Sequence, residues 1–198
     1  MKKLALVLSL VLMLTFVGCS SKTTMKETDA FRFDSKTGYA YSTAPFGIDT
    51  TELESAIGSK LTMVSESPAT APFAYTNYSS EDIVQSADCS GKFDAQFDEN
   101  GKLFSVTFHE QLARGTAEEH FEAASKRFTE TFGAPAVQDD NGTGTQYLEW
   151  QDKSSGTALG LTYCDLGTTD PTLMISVFEK SRYLSLIHIS EPTRQEAI

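Results

Sequence analysis

Three cysteines, three histidines and 27 acidic side chains are the chemically capable groups of this 198-residue chain, and their spacing limits what they can do. A hydrolase relay needs a hydroxyl or thiol, a histidine base, and a carboxylate that orients the base. His109 has Glu110 beside it, and His120 sits next to Phe121 with no recognisable partner. No Gly-x-Ser-x-Gly elbow occurs, and Ser79, Ser80 and Ser125 lack the lysine three residues later that a Ser-x-x-Lys nucleophile uses. His109 and His120, together with the distant Cys89 and Cys164, match none of the usual zinc spacings. The loop from Asp139 to Gly144 is acidic enough for calcium, but an EF-hand needs a bidentate Glu at its twelfth position, where this chain has Trp150. Pairs such as Glu81-Asp82, Glu118-Glu119 and Asp139-Asp140 read as solvated surface. The expectation is a chain with no catalytic residue, no metal site and no cofactor.

Charge and cysteine use narrow the class further. A net charge of −11 repels phosphate backbones and argues against a nucleic-acid partner. Cys89 and Cys164 form an even pair that an oxidising compartment would allow to bridge. Such a bridge would close a loop of about 75 residues, worth around 4 kcal/mol in chain entropy. Two small buried thiols are the alternative.

The first residues divide into a positive start at Lys2 and Lys3, an apolar run from Leu4 to Val17, and a small-residue close at Gly18 and Cys19. The run spans roughly 21 Å as a helix, short of the ~20 residues that cross a bilayer comfortably. Residues 1–18 are therefore expected to be a signal peptide. Thr15-Phe-Val-Gly-Cys19 resembles the lipobox of bacterial lipoproteins, with Phe16 where Leu is common. That resemblance implies acylation of Cys19 and an extracytoplasmic, lipid-anchored protein, since buried acyl chains contribute ~0.8 kcal/mol per CH₂. Residues 19–30 are expected to be its polar tether and 31–183 its single domain. Residues 184–198 resemble the translation of a sequencing adapter and are set aside, together with His188.

Within 31–183 the pattern alternates between strand and helix. Phe31 and Phe33, then Tyr39 and Tyr41, predict a small hairpin. Asp49 with Glu52 predicts a capping box, and Gly58 a stop, around a short helix carrying Leu53, Ala56 and Ile57 on one stripe. Leu61 to Val64 and Phe73 to Tyr78 read as strands. Phe93, Ala95 and Phe97, then Phe104, Val106 and Phe108, alternate on either side of Asn100-Gly101, the signature of a hairpin. Ala117, Phe121, Ala124, Phe128 and Phe132 repeat at helical spacing behind a Thr116/Glu119 box. Strands around Tyr147–Trp150, Thr157–Tyr163 and Leu173–Val177 follow.

The order suggests an α+β fold of two layers, an antiparallel sheet packed by helices, built as a tandem α-β-β-β repeat. On element order alone, it resembles the small outer-membrane assembly lipoproteins and the two-repeat β-lactamase inhibitor proteins. The resemblance implies protein binding. The expectation is a noncatalytic envelope lipoprotein with a protein or cell-wall partner, touching it through Tyr75, Tyr78 and Tyr147. An extracytoplasmic solute or glycan binder, or an unrecognised enzyme, is the alternative.

Overall fold

The computed structural model describes residues 25–28, 30–68, 73–86, 89–113, 116–140, 142, 144–165, 167 and 170–182, without the side chains of Ser86, Cys89 and Gln111. The apolar leader, Cys19 and the adapter-like tail lie outside them. Among the described residues, no helix is long and apolar enough to cross a membrane.

Alternating apolar residues build a nine-stranded antiparallel sheet. Its strands are β4 (Leu61–Glu66), β5 (Tyr75–Ser80), β6 (Val84–Ser86), β7 (Cys89–Asp98), β8 (Leu103–Gln111), β9 (Val137–Asp140), β10 (Thr145–Asp152), β11 (Thr157–Cys164) and β12 (Thr172–Glu179). Their order is β4-β5-β7-β8-β12-β11-β10-β9, with β6 paired to β7 off that path. Chain order thus runs inward from one edge to β8, restarts at the other edge, and runs inward again to β12. Each half is a helix followed by four strands on the main path, one more than the α-β-β-β repeat expected.

Among the described residues, two helices and a small three-stranded sheet form the second layer. Helix α1 (Thr50–Ile57) starts as its sequence requires: Glu52 N–H donates to Asp49 Oδ1 at 3.0 Å and Asp49 N–H to Glu52 Oε2 at 3.0 Å. Helix α2 (Ala117–Phe132) departs from expectation, because Thr116 makes no side-chain cap. Its hydroxyl instead donates back to the Ala113 carbonyl at 2.8 Å, a local bond that competes with capping. Ala117, Phe121, Ala124 and Phe128 are buried, as the helical spacing predicts.

The polar segment 19–30 is not wholly a tether. Met25–Glu27 forms strand β1, paired with β2 (Phe31–Asp34), which pairs with β3 (Gly38–Tyr41). Thr28 turns the chain, its N–H donating to the Phe31 carbonyl at 2.8 Å and its hydroxyl accepting from Phe31 N–H at 3.1 Å. Backbone pairing of this kind needs no apolar alternation, so composition conceals it.

The core lies between the layers. Phe31 meets Phe108 at 6.2 Å and Phe128 at 5.8 Å, while Tyr41 stands on Phe93 at 5.4 Å, all with tilted or edge-on rings. Trp150 packs edge-on against Phe128 at 5.6 Å and donates its indole N–H to the Gly133 carbonyl at 2.7 Å. The aromatic stripe of α2 and the aromatic face of the β7–β8 hairpin therefore meet through β2 and β3, not directly alone.

Candidate functional site

Strand alternation sends every second residue of the sheet away from this core. Across the middle strands most of those residues are polar, and neither α1 nor α2 covers them. They line a cleft of about 480 Å³, within the ~300–1,000 Å³ common for ligand sites. Strand β5 supplies Asn77 and Ser79, β7 Asp94 and Gln96, and β8 Ser105, Thr107 and His109. Thr162 of β11 and Met174 and Ser176 of β12 complete the far side, with Val64 and Ser65 of β4 at the near rim.

The cleft straddles the junction of the two halves. Thr107 of β8 faces Ser176 of β12, their hydroxyls 2.9 Å apart. Outward from this pair, Thr107 is opposite Asp94 and then Ser79. In the other half, Ser176 is opposite Gly160 and then Glu149. By the same register Asn77 and Gln96 correspond to Tyr147 and Thr162. The repeat is thus architectural, with different side chains at matched positions.

Gly160 where the other half has Asp94 changes the surface. A Cβ there would lie 3.3 Å from the Tyr147 ring and hydroxyl and 3.5 Å from Phe178. The missing side chain lets Tyr147 settle across the strand, its hydroxyl bonded to Glu149. Glu149 also accepts from Gln151 at 2.6 Å and Lys180 at 2.8 Å. One half of the solvent-facing surface is filled by its own side chains, and the other stays open.

The cleft lining holds one carboxylate, Asp94, and one imidazole, His109. His109 Nε2 lies 2.9 Å from Asp94 Oδ2. Burial disfavours the Asp94 carboxylate, but His109 and the Ser79 hydroxyl outweigh it and hold the carboxyl below its ordinary range. The order is hydroxyl, carboxylate, imidazole. A nucleophile relay requires the imidazole in the middle, so this arrangement fixes a polar surface and does not activate Ser79. His120, which has no partner visible in sequence, lies 3.8 Å from Glu110 on the other side of the sheet.

A larger cleft of about 740 Å³ lies where α1 begins beside the β7–β8 turn. Of its four acidic residues, Asp49 caps α1 and Asp98 holds the turn, while Glu66 and Glu99 line it without such a role. Among the described residues no three of His, Cys, Asp and Glu gather as metal ligands.

The sequence-level contact residues are not brought together. Tyr75 and Tyr78 point to opposite faces of β5; Tyr78 stands on buried Phe97 at 5.4 Å and Tyr75 lies beside Phe73 at 5.8 Å. Tyr147 is engaged by Glu149. Cys164 carries a free thiol, and the Cys89 side chain lies outside the described residues. The strands holding them are separated by β8 and β12, about 14 Å across three strand spacings. A disulfide spans roughly 4.4–6.8 Å between Cα atoms, so the Cys89–Cys164 bridge is not part of this structure. The cleft residues escaped sequence reading because Ser, Thr, Asn and Gln at alternate strand positions are also what an ordinary wet face contains. Compared with family models, curated proteins and solved structures, the chain matches none.

Proposed function

We propose that this chain is a noncatalytic, lipid-anchored protein of the cell envelope that binds a partner through the solvent-facing side of its sheet. The observation that carries the reading is the open polar cleft across β5, β7, β8, β11 and β12, on the face of the sheet opposite the main core. The resemblance of Thr15–Cys19 to a lipobox supports the location, and the net charge of −11 supports a partner that is not a nucleic acid. The hydroxyl–carboxylate–imidazole order at Ser79, Asp94 and His109 supports binding over hydrolysis.

Two measurements test it. Cys19→Ala should move the protein from the detergent-rich to the aqueous phase on detergent partition; a variant that stays with the membrane overturns the anchor. A photo-crosslinking side chain placed at Thr107 should give adducts with envelope protein or cell wall, and the same probe at exposed Glu122 on α2 should not. Equal labelling from both positions overturns the assignment of the face.

A further inference from the structure

The cleft's lining also specifies the chemistry of its occupant. Gln96 donates from Nε2 to Asn77 Oδ1 at 3.0 Å, and Asn77 donates to Ser65 Oγ at 2.8 Å. That chain leaves Gln96 Oε1 buried with no hydrogen-bond partner. Buried polar atoms are normally satisfied; Gln96 lines the cleft, and a small rotation of its amide would turn this unsatisfied acceptor toward a ligand donor. The neighbouring Thr107 and Ser176 hydroxyls can each give or take a hydrogen bond, and their mutual bond uses only one of their two hydrogens.

Three further observations exclude other classes. No lysine or arginine lines the cleft, so phosphate, sulfate or polyanionic ligands would meet Asp94 without a free cation. A cationic ligand would find Asp94 already bonded to His109 and Ser79. A protein partner would want aromatic or arginine anchors in the centre. The one aromatic ring of Phe, Tyr or Trp type here, Tyr78, packs edge-on against Phe97 of the core. Met174 and Val64, 66 % exposed, offer small apolar surfaces beside the hydroxyls. Mixed donors and acceptors without net charge, beside narrow apolar strips, match the hydroxyl rim and C–H faces of a sugar ring. Tyr147, seated in the space above Gly160, closes the neighbouring half and leaves a one-sided groove.

We propose that the groove at the junction of the two halves binds an uncharged oligosaccharide, with Gln96 Oε1 and the Thr107/Ser176 hydroxyl pair as its principal hydrogen-bonding groups. This rests on the reading of the protein as an envelope binder and names the class of its partner.

The test uses the full chain in detergent micelles, titrated calorimetrically with a neutral N-acetylglucosamine tetramer, a maltotetraose, a sulfated tetrasaccharide and an uncharged Ser/Gly-rich nonapeptide. Saturable binding of a neutral tetrasaccharide is expected, weakened at least tenfold in Gln96→Leu and in Thr107→Val at unchanged thermal midpoint. Restoration of most of the affinity by Gln96→Glu, which keeps an acceptor oxygen, would support the assignment of Oε1. Tighter binding of the sulfated sugar or the peptide, no saturation by either neutral sugar, or wild-type affinity in either variant overturns it. If sugars fail while Thr107 crosslinking persists, this inference falls and the envelope-binding reading stands; if both fail, both fall.

Discussion

Asp98→Ala should cost about 2–3 kcal/mol of stability, because one carboxylate holds both the β7–β8 turn and the end of the chain's described part. Asp98 is 8 % exposed. Its Oδ1 accepts from the Asn100 and Lys102 N–H groups, each at 2.9 Å, and its Oδ2 lies 2.6 Å from Arg182. Hydrogen bonds to a charged acceptor are worth ~1.5–3 kcal/mol each, and taking the low end for both turn amides gives about 3. Arg182 is 38 % exposed and keeps Glu179 as a second partner at 3.2 Å, so its share is ~1 kcal/mol or less. Desolvation of the carboxylate opposes these gains by roughly 1–2 kcal/mol. In urea, with a slope near ~2 kcal/mol/M, the midpoint should fall by about 1–1.5 M. The pH dependence gives an independent check. Burial opposes the Asp98 charge, but the Lys102 amide, Arg182 and the Asn100 amide outweigh it and hold the carboxyl below its ordinary value. Its contribution is therefore complete above the unfolded value of about 3.9 and is lost as pH falls through the lower folded value. Wild type and Asp98→Ala should converge in strong acid. A midpoint shift under about 0.3 M, or a difference that widens as pH falls, refutes the assignment.

Three other outcomes follow from the same contacts. Gly38 has φ +78°, and a Cβ there would lie 2.0 Å from Ser155 Oγ and 2.1 Å from Thr157 Oγ1; Gly38→Ala should cost at least about 2 kcal/mol in urea unfolding, and an unchanged midpoint would contradict the packing of β3 on β11. The Tyr39 hydroxyl is pushed up to about 12, first by burial and then by the Asp152 carboxylate; because the folded value is the higher one, its contribution to stability should be full below about pH 10 and be lost as pH rises through 12, with a late tyrosinate absorbance step that Tyr39→Phe removes. With Cys164 free, adding reductant should leave the thermal midpoint unchanged and a thiol reagent should label Cys164 in the folded chain; a reductant-sensitive midpoint would restore the disulfide.

The sheet and α2 were legible because burial on one side writes a period into sequence. Phe93, Ala95 and Phe97 repeat every second residue, and Phe121, Ala124 and Phe128 every third or fourth; all six are buried. The α1 box was legible because Asp49 and Glu52 satisfy each other within one turn. Strand β1 was not, since its pairing is carried by backbone atoms alone. The Thr116 box failed because a hydroxyl within reach of two local partners chose the Ala113 carbonyl.

What the sequence determined by itself is the two-layer α+β plan, the helix stripe, the hairpin around Asn100-Gly101 and the lipobox expectation at Cys19. Only tertiary structure decided that β8 and β12 meet, that Asp94 is matched by Gly160, and that an open cleft consequently lies beside a filled one. Local patterns record which face of an element avoids water, because that constraint acts on neighbouring residues. Which polar residues share a cleft depends on strand order, and strand order brings together Ser79, Thr107 and Ser176 from segments whose separation along the chain carries no signal of their meeting.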